Sequence, residues 1–508
     1  PKRGKLKFAY EPRLDPYLQL HNGVGVLCSD GLKVCFKVEL RITAHTILPA
    51  SSKIHCRDRM AEARQDVIAH TESLRHEKPE WLRQRLEWFQ DQKFGLLLHW
   101  GPYALWDCCE SWPLSPGDDW ARNDHMICWT SRGKDLARFQ ADYWALNKQF
   151  HPHKFDPEAW ADAVKDSAIR YASLTAKHHD GFCMWDTQET DYKITGPDSP
   201  YPVDVYKGFC DAFQKRGLGI SVYFFSKADW HSPAYWSPDA PVTTRQANTV
   251  GTPLWDEFVR FTHAQIRELM TGYGKVDVLW LDAGWVKKER GEDLDMDGMI
   301  AMARELQPGL IVANRTVGDA YEDFITPEHQ IPEAPLDQPW ESCLCMGTSW
   351  KYAEGEVFRP VGEILRMLIE IVSKDGNFLI GFGPTPEGEF PAGALERLKE
   401  IGAWMKVNGE AIYGTRAIAP YAEDGIRFTQ KQGTVFAFLV DESASALRSL
   451  RPAPGSELRL LGHEGPIPWH EESGVCHFTL PEGIGHLPRP LTLAYTVSGV
   501  PTRYQPFS

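Results

Sequence analysis

Between residues 94 and 383 short apolar runs alternate with amphipathic stretches. The runs are Phe94 to Trp100, Tyr171 to Ala176, Leu218 to Phe225, Val276 to Asp282, Leu310 to Arg315 and Asn377 to Gly383. Each has the length and bounds of a buried strand. The stretches between them read as helices. One opens at Asp156-Pro157-Glu158, with an N-cap, a proline at the first helical position and a first-turn acid. Another runs from Pro391 through Leu395, Leu398, Ile401 and Met405 and stops at Asn408-Gly409. Strands alternating with helices predict parallel βαβ units. No Gly-x-Gly-x-x-Gly follows the first run, so a dinucleotide fold has no support. The pattern predicts an α/β fold, an irregular (β/α)8-like TIM barrel over residues 86–412. It has six clear strands and a further one at 339–343.

Outside that region the periodicity differs. Residues 1–85 read as a small N-terminal α+β extension of unassigned role. Strands are expected at Val24 to Leu27 and Val34 to Val38, and a helix over 58–91 carries Leu74, Trp81, Leu82, Leu86 and Phe89. After Tyr413 the helical signal stops. Ile426-Arg427-Phe428, a turn at Lys431-Gln432-Gly433, and Val435 to Val440 predict a hairpin. Leu458 to Leu461 and Leu491 to Tyr495 continue the pattern, so residues 413–508 are expected to form an antiparallel β-sandwich.

A chain of 508 residues needs more than one core. A formal net charge of -14 argues against nucleic acid and against anionic membrane surfaces. No run of about 18 apolar residues is present to span a bilayer. The chain opens at Pro1 without an apolar leader, as a mature end or a trimmed boundary would. Eleven cysteines are too sparse for a disulfide scaffold, and neither Cys108-Cys109 nor Cys343-Leu344-Cys345 has zinc spacing with partners. Compartment and self-association are left open by this composition. The 19 tryptophans change the picture more, because indole faces suit a groove that stacks on sugar rings.

In a barrel, chemistry collects at the carboxyl ends of strands. Here the runs end in His99-Trp100, Lys177-His178-His179-Asp180, Tyr223 with Trp230-His231 following, Trp280-Leu281-Asp282 and Asn314-Arg315, and the next candidate strand holds Trp340-Glu341. A strand has little use for Lys, His, His and Asp in sequence, since burying them is costly unless they are paired or wet. Strand alternation sets Val276, Val278, Trp280 and Asp282 on one face, so Asp282 caps an inward face above an aromatic floor. An ionised aspartate there suits a carboxylate nucleophile. Glycoside hydrolysis needs a second carboxyl group, which retaining enzymes place about 5–5.5 Å away. Glu341 and Glu328 are both available downstream. The long loop over 101–135, where barrel enzymes place specificity, carries Glu110, Trp112 and Trp120, and Glu110-Ser111-Trp112 could offer an acceptor and a stacking face. Metal binding by His178, His179 and Asp180 with His99 or His231 is disfavoured, since adjacent histidines in a strand point to opposite faces. Neutral imidazoles that hydrogen-bond sugar hydroxyls use these residues better.

The motifs Phe94 to Tyr103, Lys177 to Phe182, Leu279 to Asp282, Trp340-Glu341-Ser342, Ser349-Trp350-Lys351-Tyr352 and Ser373 to Leu379 running into Gly383-Pro384 resemble those of the α-L-fucosidases, family 29 of the glycoside hydrolases. The likeness covers about residues 85 to 415 in order. It implies an irregular barrel, a C-terminal β-sandwich, and retaining cleavage of α-linked L-fucose from fucosylated oligosaccharides or glycoconjugates, with no metal and no cofactor. It implies Asp282 as nucleophile and His99, His178, His179, Trp230 and Arg315 as sugar ligands, with Tyr223 lining the pocket near the nucleophile. Trp100, Glu110, Trp112, His231 and Trp280 are expected in the same pocket. For the acid/base, Glu328 matches one placement in the family and Glu341 another, with the reading leaning to Glu341. Ala283 departs from the glycine common after the nucleophile, and Ile380-Gly381-Phe382 from the usual residues before Gly-Pro. The rival readings are an α-L-galactosidase on the same scaffold and a non-catalytic glycan-binding barrel. Asn314-Arg315-Thr316 fits a glycosylation sequon, but its place at a barrel strand end argues against modification.

Overall fold

The computed structural model describes residues 26–29, 32–35, 78–224 and 227–499. The chain divides into two compact units, residues 1–61 and 62–508. In the first, strands β1 (Val26–Ser29) and β2 (Leu32–Cys35) pair antiparallel, with Val26 opposite Cys35. The remainder of the expected extension up to residue 77, Leu74 included, lies outside the described residues. In the second unit the expected helix appears as α1 (Glu80–Gln92), which buries Leu82, Leu86 and Phe89.

Seven parallel strands follow: β3 (Phe94–Leu98), β4 (Tyr171–Lys177), β5 (Gly219–Phe224), β6 (Val278–Leu281), β7 (Ile311–Asn314), β8 (Glu341–Cys345) and β9 (Asn377–Phe382). Their order in the sheet is β7-β6-β5-β4-β3-β9-β8. Helices cover its outer side, among them α2 (Leu136–Trp144), α3 (Pro157–Asp166), α4 (Val205–Lys215), α5 (Pro253–Gly272), α6 (Met296–Leu306), α7 (Val361–Ser373) and α8 (Ala392–Asn408). The proposed start of α3 is as read, with Asp156 accepting from the Ala159 N–H at 3.0 Å.

Period-two alternation sorts the strand residues. Leu97, Tyr171, Tyr223, Val278, Trp280, Ile311, Ala313, Cys343 and Leu379 pack in one cluster on the inner side. Leu96, Leu98, Ala172, Leu174, Leu279, Leu281 and Val312 pack with the helices on the other.

An exact (β/α)8 barrel is not formed. β7 and β8 end the sheet and are not neighbours in it. An irregular segment lies between them: Ala313 bridges Glu322, Ile325 bridges Trp340, and Glu328 bridges Cys343. Pro327 within it has no N–H to give a ladder, which keeps the segment from becoming a regular stave. Glu328 comes from this segment, which its sequence does not mark as a strand.

β4 carries a second irregularity. Its register against β5 shifts between Thr175 and Lys177. The bulge turns Lys177 out of the alternation. Its Nζ donates to Asp229 at 2.8 Å and to Gln265 of α5 at 2.6 Å, fully buried.

Beyond residue 413 the chain is antiparallel, as its pattern predicts. One sheet has the order β10 (Ala422–Glu423), β11 (Ile426–Lys431), β12 (Thr434–Leu439), β17 (Leu491–Thr496) and β14 (Arg459–Leu460). The other orders β13 (Ala446–Leu447), β16 (Val475–Phe478) and β15 (Trp469–Glu472). Both contribute to one apolar cluster that holds Phe428, Val435, Leu447, Cys476 and Leu493. Trp404 of α8 donates to the Pro490 carbonyl at 2.8 Å, and Arg427 pairs with Glu370 of α7 at 2.6 Å, which tie these sheets to the barrel helices.

Candidate active site

Asp282 follows β6 directly and stands above Trp280, on the inward face its alternation predicts. Its Oδ1 accepts from the Ala283 N–H at 2.7 Å. Its Oδ2 accepts from Arg315 Nη1 at 3.0 Å and from the Tyr223 hydroxyl at 3.3 Å. The second guanidinium nitrogen, Nη2 of Arg315, donates to Glu328 Oε2, and Trp350 Nε1 donates to Glu328 Oε1 at 3.1 Å. Two carboxylates bonded to the two Nη atoms of one guanidinium are held within a few ångström of each other. Burial would raise the Glu328 carboxyl, but Arg315, His329 and Trp350 together pull it down to about 2.

The residue after each of these three groups has left-handed backbone: Ala283 at φ 74°, Thr316 at 58° and His329 at 51°. Non-glycine residues in that region cost about 1–3 kcal/mol each and cluster where a site needs its side chains aimed. The glycine common after the nucleophile in the resembling family fits φ 74°, and alanine tolerates it at some strain.

The imidazoles form the opposite wall. His99 follows β3 on its inward side, stacked on Trp350 at 5.2 Å and edge-on to Tyr223 at 5.3 Å. Burial lowers it to about 3 against the pull of Glu328 and Asp282. His178 is hydrogen-bonded through Nδ1 to Ser111, and burial holds it well below its ordinary value. His179 Nδ1 donates to the Ala228 carbonyl at 3.1 Å, and burial lowers this ring to about 4. Strand alternation would have sent His178 and His179 to opposite faces. Because β4 ends at Lys177, both lie in the turn beyond it, with rings 5.0 Å apart. Among the described residues no three His, Cys, Asp or Glu side chains come together as a metal set.

Trp112, from the long loop, packs on His179 at 5.1 Å. Trp230 packs behind His179 at 4.9 Å, and its Nε1 donates to the Arg245 carbonyl at 3.1 Å, so it supports the imidazole instead of offering a donor. Glu110 is buried at φ 39°, and burial raises it to about 7, with Glu328 adding to the rise.

Three expected pocket residues are elsewhere. Trp100 lies on the opposite side of the sheet from His99. It packs on Trp160 at 5.1 Å and on Phe150 at 5.5 Å, and donates to the Thr385 carbonyl. The two side chains diverge where the chain leaves β3 at Leu98, with His99 against Trp350 and Tyr223 and Trp100 against Trp160 and Phe150. His231 stacks on Tyr192 at 4.0 Å and belongs with the Lys177–Asp229 pair behind the sheet. Glu341 is the third. β8 begins at Glu341, whereas the expected strand at 339–343 would have placed it mid-strand. It pairs in register with Asn377, the first residue of β9, at the amino end of the sheet. There Tyr171 donates to its Oε2 and Trp280 Nε1 to its Oε1 at 3.1 Å, and burial raises it to about 7. Trp280 is thus the floor between two carboxyl groups, Asp282 above and Glu341 below.

Other groups were not singled out in sequence. Lys227, three residues past β5, is buried and donates to Asn314 Oδ1 at 2.6 Å; burial lowers it to about 8. This contact also accounts for Asn314, 1% exposed and unsuited to glycosylation. Trp350 lay in a noted motif, but its bond to Glu328 depends on a loop-to-loop approach that no local pattern encodes.

Comparison with known proteins adds to this geometry. A family model described as "Alpha-L-fucosidase" matches residues 61–410. Rat tissue alpha-L-fucosidase is 26% identical over 80% of this chain and 89% of its own. The solved structure of alpha-L-fucosidase isoenzyme 1 from Paenibacillus thiaminolyticus has a TM-score of 0.70 and 29% identity, covering 82% of this chain and 100% of that one. The Thermotoga maritima alpha-fucosidase in complex with fucose has a TM-score of 0.65 and 25% identity, covering 83% and 100%.

Proposed function

Because the chain belongs to the α-L-fucosidase family of glycoside hydrolases, we propose that it removes terminal α-linked L-fucose from glycans with net retention of configuration. The observation that carries this reading is Arg315, one guanidinium bonded to both Asp282 and Glu328. Two carboxyl groups that close are what a retaining glycosidase needs. Asp282 attacks the anomeric carbon and forms the glycosyl-enzyme. The Ala283 N–H and the Tyr223 hydroxyl hold its two oxygens in place for attack. Glu328 protonates the departing oxygen and later activates water. In the arrangement described it is ionised, because Arg315 bonds it directly. When the sugar draws Arg315 onto its own hydroxyls, the largest pull on Glu328 is removed, only His329 and Trp350 still oppose burial, and the carboxyl moves up towards the range an acid requires. His99, His178 and His179 are neutral at working pH and act as hydrogen-bond partners for the hydroxyls. Fucose in the related Thermotoga structure supports the choice of sugar.

A second reading exchanges one role. Burial and the charge of Glu328 already raise Glu110 to about 7, so a substantial part of it carries a proton near neutral pH without any rearrangement. Azide rescue distinguishes the two. On an aryl α-L-fucoside, Asp282→Gly is expected to lose about a thousandfold or more in kcat while staying folded. In Glu328→Ala, azide is expected to restore turnover and give the retained glycosyl azide. Rescue confined to Glu110→Ala would move the acid/base role to Glu110, and near-full activity in Asp282→Gly would end the reading. Rates on aryl α-L-fucoside and aryl α-L-galactoside compare the preferred sugar with its 6-hydroxylated relative.

A further inference from the structure

Three indoles surround His179, and one arginine reaches all three. We propose that Arg245 is a positioning residue for sugar binding, holding the indoles of Trp112, Trp230 and Trp285 that fix the His179 imidazole. This rests on reading His179 as a sugar ligand in a fucosidase centre.

The indoles come from separate loops: Trp112 follows β3, Trp230 follows β5 and Trp285 follows β6. Their ring centres lie 5.1, 4.9 and 5.0 Å from that of His179, at inclinations of 69°, 36° and 55°. Rings packed at three inclinations leave the imidazole little freedom to turn. Its Nδ1 is bonded to the Ala228 carbonyl as well. The Arg245 guanidinium lies 5.2 Å from the Trp112 ring centre and 5.0 Å from that of Trp285, within cation–π range of both. The Arg245 carbonyl accepts from Trp230 Nε1 at 3.1 Å and from the Tyr235 hydroxyl at 3.2 Å. Trp285 Nε1 donates to that hydroxyl at 3.4 Å.

Arg245 is itself anchored at both ends. Its Nη2 donates to Asp118, a fully buried carboxylate on the loop that carries Trp112. Its backbone belongs to a segment without helix or strand, residues 241–249. Asn248 straps that segment down: its Oδ1 accepts from the Ser237 N–H at 2.7 Å and its Nδ2 donates to the Ser237 carbonyl at 2.9 Å. Glu292 accepts from the Ala247 N–H at 3.0 Å. A guanidinium suits this place better than an ammonium, because it can bond a carboxylate and stack on aromatic rings at once. Burial lowers the His179 ring to about 4; the charge of Arg245 pulls the same way, while Asp282, the Ala228 carbonyl and Asp118 pull the other. Arg245 therefore bears on the orientation of this ring through the indoles and on its charge through space.

The test splits kcat from KM and adds a second substitution. On an aryl α-L-fucoside, Arg245→Ala is expected to raise KM about tenfold and to leave kcat within about threefold, because Asp282 and Glu328 stand on the opposite wall. Partial unfolding would instead lower kcat at unchanged KM. His179→Phe keeps a ring among the indoles and removes the imidazole nitrogens, and is expected to lose about a hundredfold in kcat/KM. In that background Arg245→Ala is expected to cost no more than about twofold further, since both changes remove one interaction. A cost of about tenfold that persists in His179→Phe, a loss confined to kcat, or no loss at all overturns the proposal. If Arg245→Ala fails to fold because Asp118 is left buried without its cation, Arg245→Gln with Asp118→Asn keeps a neutral pair. The same rise in KM is expected there, and an unchanged KM overturns the proposal. If wild type does not turn over the fucoside, the fucosidase reading falls. NMR then decides the positioning: the His179 ring signals, assigned by their absence from His179→Phe, are expected to shift in Arg245→Ala through altered ring currents, while those of His99 stay. Unchanged His179 signals overturn it.

Discussion

Nη1 of Arg315 donates to Oδ2 of Asp282 at 3.0 Å while the same guanidinium holds Glu328. These side chains come from the ends of two neighbouring parallel strands, β6 and β7, with Leu281 opposite Asn314 in register. The contact is thus built by sheet geometry and not by a flexible loop. The Arg315 Cζ also sits 5.3 Å from the Trp280 ring centre, which fixes the plane of the fork from below.

Arg315→Lys keeps the charge and removes the fork. A lysine ammonium is a point charge that cannot bond two carboxylates in a fixed plane. The variant is expected to fold normally and to lose about a hundredfold in kcat/KM on an aryl α-L-fucoside, or about 2.7 kcal/mol of transition-state stabilisation. Circular dichroism and steady-state kinetics measure both. Activity within a few fold of wild type would show the bridge to be idle.

Glu341→Gln separates a buried structural acid from a catalytic one. Glutamine copies the neutral form that burial favours, so activity is expected to stay within about threefold of wild type. Stability should respond to pH. The folded carboxyl is raised to about 7, above an unfolded value of about 4.3. Between these values the folded state holds a proton that the unfolded state releases. The stabilising contribution is therefore full below about pH 4 and is lost as pH rises through 7, by up to about 1.4 kcal/mol per pH unit. Relative to Glu341→Gln, wild type is expected to lose ground in urea denaturation between pH 5 and pH 8. A variant that folds but does not turn over would return the acid role to Glu341.

The imidazoles should not titrate near neutrality. Burial lowers His99 to about 3 and His179 to about 4. Folded values below the unfolded value of about 6.5 mean that their contribution is full above pH 6.5 and is lost as pH falls towards 3 to 4. In NMR titration the ring signals of both are expected to stay flat from pH 5 to 8, a range over which an exposed histidine moves fully. A step near pH 6.5 from either residue would contradict the neutral sugar-binding role.

Several features were legible along the chain. Runs of buried-strand length gave the parallel strands, and two-residue alternation set Asp282 over Trp280, because both depend only on backbone geometry within one strand. The β-rich tail after Tyr413 was legible for the same reason. Alternation also misled where a strand stops obeying it. The bulge at Thr175/Lys177 turns the lysine out, and the chain then turns so that two adjacent histidines face one pocket. Read locally, nothing marks the bulge.

The amino-acid sequence by itself thus determined the parallel α/β frame, the polar strand ends and the nucleophile candidate, since each follows from local periodicity. The tertiary structure decided which carboxyl group stands across from Asp282. β8 starts two residues later than the expected strand at 339–343, which makes Glu341 its first residue and sets it beside Asn377 at the amino end of the sheet. Glu328 reaches the site from an irregular segment between β7 and β8, positioned by bridges to Cys343 and by Arg315 and Trp350. Those are contacts between residues far apart or off the strand pattern, and only the folded chain brings them together.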